Sequence, residues 1–260
     1  MEDTSNPDLS IKVTGYQWKW GYDYIDDGVS FISSLATPKE QIYDMQEKGE
    51  NYLLEVDKPL VVPTNKKVRL LITASDVIHA WWVPDLGMKK DAIPGFVNEM
   101  WFQIDTEGTY RGQCAELCGK DHGYMPIVVI AKNEADYGKW LSAQKTASDA
   151  VAAAAEREWE ISELLERGEK VYSGTCAACH QANGEGIPGA FPAIKDSAVA
   201  TGPAGDHLAL VMNGKAGTAM TAFAGQLSDV DLAAVVTYQR NAWGNNAGDL
   251  IQPAEVKAAR

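Results

Sequence analysis

The 260-residue chain carries 23 Lys and Arg against 36 Asp and Glu, a formal net charge of −13, and a field of that sign argues against nucleic acid or anionic lipid as partner. Its length and 45% hydrophobic content suit two globular domains and exclude a disordered chain. No run approaches the roughly 18–20 apolar residues that span a bilayer, and the acidic start Met1-Glu2-Asp3 has no apolar run behind it, so it is no signal peptide.

Residues 10–131 read as strands. Tyr16, Trp18, Trp20, Tyr22 and Tyr24 alternate with small or polar residues, the period of a half-buried strand. Ile11 and Val13 have the opposite parity, which places a bulge near Gly15. Thr37 as N-cap, Pro38 at the first helical position and Glu40 completing a capping box predict a helix. Val68, Leu70 and Ile72 alternate with Lys67, Arg69 and Thr73; a further strand spans Val97 to Ile104. A Glu107-Gly108 turn leads into Thr109 to Gln113, and Ile127 to Ala131 closes the set. Short strands separated by turns predict an antiparallel sandwich or Greek-key barrel.

A helix is expected from Asn133 to about Gln144, with Tyr137, Trp140 and Leu141 on one face. Thr146 to Ala155 contains six alanines and almost no large apolar residue, a linker composition that is also capable of helix. Beyond it everything reads helical. Ile161, Leu164, Leu165, Gly168, Val171 and Tyr172 follow the 3.6-residue period. The last helix starts at a Ser228 cap, with Asp229 and Asp231 in its first turn, then Leu232, Val235, Val236 and Tyr238. The division is an all-β domain over 1–145, an Ala-rich linker over 146–159 and an all-α domain over 160–260.

The four cysteines form two tight pairs, Cys114/Cys118 and Cys176/Cys179, spaced for shared cofactors and poorly for long-range disulfides. Cys176-Ala177-Ala178-Cys179-His180 is the attachment signature of c-type haem. Two thiols three residues apart on one helical turn can each add to a haem vinyl group, and His180 then lies beneath the iron. A thioredoxin-like motif would need a βαβ setting, which is lacking. A Met should complete the iron, because thioether ligation raises its potential. Met212 falls in an apolar helical stretch and suits the core; Met220, in the irregular segment Gly217 to Phe223, is the expected ligand. From about Ile161 to Asn245 the chain resembles the small class I cytochromes c. That likeness implies a first helix crossing the last near Gly168 and Tyr238, with Trp243 packed there.

Cys114-Ala115-Glu116-Leu117-Cys118-Gly119-Lys120-Asp121-His122-Gly123-Tyr124-Met125 packs two soft thiolates, an imidazole and a thioether between two strands. One blue copper needs a Cys, a His, a Met and an upstream His, here His79, so this loop has a thiolate to spare. Two thiolates can bridge two copper ions that share one unpaired electron. The reading from another class takes His79, Cys114, Cys118 and His122 as a structural zinc site, which leaves Met125 without use. Of the four histidines, only His207 is then unassigned, and it is expected to lie exposed at a helix start.

Gly15 to Tyr24, Ser75 to Pro84, Asp91-Ala92-Ile93-Pro94-Gly95 and Cys114 to Pro126 together resemble subunit II of the haem–copper cytochrome c oxidases. The resemblance implies a cupredoxin fold holding the dinuclear copper centre CuA. Its ligands would be His79, Cys114, Cys118, His122, Met125 and the backbone carbonyl of Glu116. It also implies a magnesium ion on the Glu116 side chain, electron input at Trp18, and Asp76 close to His79. A cytochrome c fused behind such a domain looks like the caa-type oxidases, in which tethering gives the donor a high effective concentration. The implied path runs from a soluble or membrane-bound donor through haem c and CuA to the catalytic membrane subunit I, on the periplasmic side. A CuA-bearing nitric oxide reductase is the rival of the same class. The family places a pair of membrane helices ahead of this domain, so the chain is expected to be a soluble fragment beginning after them.

Overall fold

The computed structural model describes residues 3–260. Met1 and Glu2, part of the acidic start considered above, lie outside the described residues. The chain divides between Ser148 and Asp149 into two compact units.

The first unit packs two five-stranded sheets face to face. One runs β3 (Val29–Ser33), β2 (Lys19–Tyr24), β1 (Leu9–Tyr16), β5 (Val68–Ala74), β8 (Asn98–Phe102). The other runs β4 (Leu60–Pro63), β10 (Pro126–Lys132), β9 (Gly108–Cys114), β6 (His79–Val83), β7 (Met88–Ala92). Its core is built by alternation: every second residue of β5 is buried, and Ile11, Trp20, Tyr22, Tyr24, Trp81, Met100 and Ile127 are sealed from solvent. Buried aromatics keep their polar tips paired. Tyr24 donates to the Val61 carbonyl at 2.6 Å, and the Trp81 indole donates to the Tyr22 hydroxyl at 3.3 Å.

Three expectations need correction here. The sandwich is not wholly antiparallel, because β1 pairs parallel with β5 and β4 with β10. The in-register partners Leu9/Val68, Ile11/Leu70 and Val13/Ile72 put apolar residues side by side, a pairing across 59 residues that no local pattern encodes. Next, the aromatic stretch is a hairpin. Gln17 and Trp18 form its turn, so Ile11 faces Tyr24 and Val13 faces Tyr22, and the reversed parity comes from the turn instead of a bulge at Gly15. Finally, the helix near Thr37 is the single turn α1 (Lys39–Ile42), which has no side-chain cap. The Thr37 hydroxyl instead accepts from the Leu53 amide at 3.1 Å.

Helix α2 (Glu134–Glu156) does not end near Gln144. Its start lays Tyr137, Trp140 and Leu141 on the first unit's core, with the Trp140 ring 5.3 Å from that of Tyr24. It continues through the alanines because the best helix former fills that stretch and neither Gly nor Pro interrupts it.

The second unit is helical: α3 (Ile161–Thr175), α4 (Ala177–His180), α5 (Ala198–Thr201), α6 (Ala204–Asn213), α7 (Asp229–Asn241) and α8 (Pro253–Ala259). Reciprocal bonds between Glu160 and Glu163 cap α3, and the Ser228 hydroxyl caps α7 by accepting from the Asp231 amide at 3.1 Å. Helix α3 crosses α7 at Gly168, where a Cβ would stand 2.1 Å from the Ala234 carbonyl oxygen and 2.6 Å from Tyr238 Cβ. Only glycine allows that approach. Trp243 closes the crossing, its ring 4.8 Å from Tyr172 and 5.3 Å from Tyr238. The helix starting after Ser228 is not the last, since α8 follows with its own Gln252/Glu255 capping box.

His207 overturns its sequence reading. It is buried in α6, only 4% exposed. Burial, helped by the Arg240 guanidinium, pushes its pKa down to about 4. An unfolded chain takes up the His207 proton near the usual 6.5, whereas the folded chain resists it down to about 4. Stability is therefore complete above pH 6.5 and drains away as the pH falls towards 4, by about 3 kcal/mol in all. Urea unfolding across that window, followed on the second unit, should show this slope, and His207→Leu should flatten it.

Candidate metal centres

Strand register brings the first donors together. In the β6–β9 pair Trp81 stands opposite Cys114, so His79, two residues earlier on the same face, reaches the same end of the sheet. Fully buried His79 lies against Gly15, where a Cβ would come within 2.7 Å of its ring. Room for this imidazole, not a bulge, explains the glycine. Trp20 meets the ring edge-on at 5.9 Å. The loop from Cys114 to Met125 closes on itself through the Cys114 amide, which donates to the Met125 carbonyl at 3.3 Å.

Inside that enclosure the donors converge. The Cys114 and Cys118 sulfurs are 3.9 Å apart, far beyond a disulfide bond. His79 Nδ1 lies 3.9 Å from Cys114 Sγ, and His122 Nδ1 lies 3.4 Å from Cys118 Sγ. Met125 Sδ is 3.5 Å from Cys118 Sγ, and the Glu116 carbonyl oxygen is 3.3 Å from Cys114 Sγ. All six groups singled out from the sequence thus share one site. Cys114, Cys118, His79 and Met125 are buried; the Glu116 side chain points to solvent.

Asp76 orients His79. Its carboxylate accepts from His79 Nε2 at 2.9 Å and from the Gln17 and Val77 amides, both at 2.7 Å. Burial opposes ionisation of Asp76, but these bonds outweigh it and hold its pKa below the usual range. With Nε2–H committed to the carboxylate, the neutral ring turns its Nδ1 lone pair towards the sulfurs. Burial likewise works against a charged His79, yet the bonds to Asp76 and Cys114 raise its pKa to about 8. The Cys114 thiol is lowered in spite of its burial, chiefly by His79. Cys118 is driven up, first by burial and then by the neighbouring Cys114 charge. Negative charge on both sulfurs at once is thus opposed unless a cation stands between them. Two thiols, two imidazoles, a thioether and a carbonyl in one enclosure are soft and borderline donors, and the set fits a copper pair.

Gln17 was not singled out in the sequence. Its side-chain amide donates to the Cys118 carbonyl at 2.7 Å, and the Trp18 indole donates to the same oxygen at 3.2 Å. Trp18 thus touches the metal loop instead of simply packing on the sheet. A polar residue in a hairpin turn offers no local signal of such a contact.

In the second unit, α3 ends at Cys176 and α4 continues the turn, so that Cys179 and His180 donate backbone N–H groups to the Cys176 carbonyl at 3.1 and 3.0 Å. Cys176 is buried, while Cys179 and His180 are half-buried. His180 Nδ1 donates to the Pro192 carbonyl at 2.8 Å, which leaves Nε2 as the nitrogen free to bind iron. Met220 packs, half-buried, against the cluster that contains Cys176; Met212 is itself part of that buried cluster. Paired thiols on one turn and an imidazole fixed in the required tautomer fit a covalent haem.

Residues 9–132 match the family described as cytochrome c oxidase subunit II, periplasmic domain. Residues 163–238 match cytochrome c oxidase, cbb3-type, subunit III. Cytochrome c oxidase subunit 2 of Cereibacter sphaeroides is 42% identical over 154 residues, covering 54% of this chain and 51% of that protein. The probable cytochrome c oxidase subunit 2 of Rickettsia prowazekii is 46% identical over 136 residues, covering 52% and 42%. The crystal structure of the periplasmic domain of subunit II of cytochrome oxidase from Bradyrhizobium japonicum is 41% identical, with a TM-score of 0.50, and the match covers 55% of this chain and 98% of that one. The chain spans about half the length of the curated relatives it matches.

Proposed function

We propose a function that starts from family membership: this chain belongs to the family of cytochrome c oxidase subunit II. It acts as the electron-transfer subunit of a haem–copper terminal oxidase at the periplasmic face of a membrane. An external donor delivers electrons to the second unit, the first unit receives them, and the catalytic membrane subunit takes them for the reduction of oxygen. Alone, the chain carries electrons and performs no oxygen chemistry. No helix among the described residues is long and apolar enough to cross a membrane.

A dinuclear copper centre held by His79, Cys114, Cys118, His122, Met125 and the Glu116 carbonyl, and a haem held by Cys176, Cys179, His180 and Met220, would supply the one-electron chemistry that side chains lack. The remaining work falls to the polypeptide. Asp76 keeps His79 in one tautomer. Trp20 and the sheet core keep water from the buried sulfurs. The loop's hydrogen bonds hold the donors in place, so that little rearrangement accompanies a change of charge. The Pro192 carbonyl orients His180. Contact between Trp18 and the Cys118 carbonyl supports a role for Trp18 in electron input. The solvent-facing Glu116 carboxylate would hold magnesium where the catalytic subunit docks.

The observation that carries this reading is the pair of unbonded buried sulfurs 3.9 Å apart with a second sulfur donor type, Met125, against them. Zinc has no use for that thioether. Reconstituted protein should contain two coppers and one iron per chain and show the purple mixed-valence absorption beside the haem bands. Uptake of a single copper, or of zinc alone with a colourless first unit, would refute the assignment.

A further inference from the structure

We infer that Gln17 is a positioning residue for the copper centre: from the β1–β2 turn it ties together the two chain segments that supply the metal's ligands. The inference rests on the function proposed above. The ligands come from separate places in the chain, His79 after β5 and the others from the β9–β10 loop. Gln17 meets both. Its backbone N–H donates to Asp76 Oδ2 at 2.7 Å, and the other oxygen of that carboxylate holds His79 Nε2. Its side-chain Nε2 donates to the carbonyl of Cys118 itself, also at 2.7 Å.

Three features show a constructed contact. The Trp18 indole joins Gln17 on the same carbonyl, so both lone pairs of that oxygen are engaged. Gly119, the next residue, sits at φ +117°, and a Cβ there would press within 3.0 Å of both Gln17 Nε2 and the Trp18 ring. The turn is fixed by the hairpin register, with Tyr16 opposite Lys19. A two-residue turn on a rigid sheet thus fixes the spacing between the His79 side and the Cys118 side before any metal binds. By donating to the Cys118 carbonyl, the Gln17 side chain also draws negative charge away from that ligand's peptide, which favours the electron-rich state of the site.

Gln17→Met keeps the length of the side chain and the backbone bond to Asp76 while losing the side-chain donor. In the full copper-loaded chain it should release copper to a chelator about ten-fold faster and show a lower reduction potential of the copper centre, with thermal melting and haem bands unchanged. Gln17→Lys, which restores a donor at similar reach, should bring release back to the wild-type rate. Wild-type release and potential in Gln17→Met would overturn the inference, as would a Gln17→Lys that releases copper like Gln17→Met. A normal copper pair in the wild type with an indifferent Gln17→Met sinks this inference alone. A wild-type chain that takes up no copper pair sinks the functional reading and this inference with it.

Discussion

Cys118→Ser should cut copper uptake from two ions per chain to one at most and abolish the mixed-valence absorption, while the haem spectrum stays as it was. Cys118 is the hub of the site: its sulfur lies 3.9 Å from Cys114 Sγ, 3.4 Å from His122 Nδ1 and 3.5 Å from Met125 Sδ. A serine oxygen occupies nearly the same volume, but it holds its proton at neutral pH and is too hard a donor to replace a bridging thiolate. The fold should tolerate the exchange. A buried hydroxyl left without a partner costs about 1–3 kcal/mol, small beside a core built on two full sheets. The haem is insulated because the units have separate cores, the first from Leu9 to Ala131 and the second from Tyr172 to Val256. Metal analysis and visible spectra of one preparation decide the outcome. An intact purple absorption in the variant would remove Cys118 from the centre.

How much of this was visible in the sequence follows from how far apart the interacting residues lie. Cys114 to Met125 and Cys176 to His180 were legible because the donors of each site crowd into one loop or one helical turn, and such clusters of soft ligands have few other uses. The crossing at Gly168 was expected only through the likeness to class I cytochromes c; a glycine inside a periodic helix does not mark a close approach by itself, since Gly174 of the same helix has nothing within 4 Å of its Cβ position. Long-range pairings were not legible. The parallel ladder of β1 with β5 joins residues near 10 to residues near 70, and the hydrophobic period is the same for parallel and antiparallel neighbours. Gln17 makes its contacts 59 and 101 residues away. His207 opens a helix with an acidic neighbour and reads as surface, yet α7 and the Arg240 side chain lie over it. The alanines after Thr146 suited linker and helix equally by composition, and the absence of a breaker between Lys139 and Arg157 carried the helix through.

The pair Met220→Ala and Met212→Ala should separate ligation from packing in the second unit. Met212 is 3% exposed on α6, and its truncation leaves a cavity costing about 2–5 kcal/mol. Its helix fixes its direction into the core, so the haem spectrum should hold while thermal stability drops. Met220 belongs to a segment without regular structure, held by the Lys215 amide donating to the Met220 carbonyl at 2.9 Å. Gly214 packs so closely there that a Cβ would stand 2.5 Å from the same carbonyl oxygen. This closed loop presents a half-buried thioether to the cluster containing Cys176 without committing it to the core. Removing it should cost little stability, since the side chain is only partly buried. Cys176 and Cys179 would keep the haem attached and His180 would remain in place, while the thioether-dependent absorption disappears and the reduction potential falls by on the order of tenths of a volt. The opposite pattern, an unchanged Met220→Ala spectrum with ligation lost in Met212→Ala, would move the iron's second ligand onto α6. Helix α6 would then have to rotate to expose a side chain it now buries.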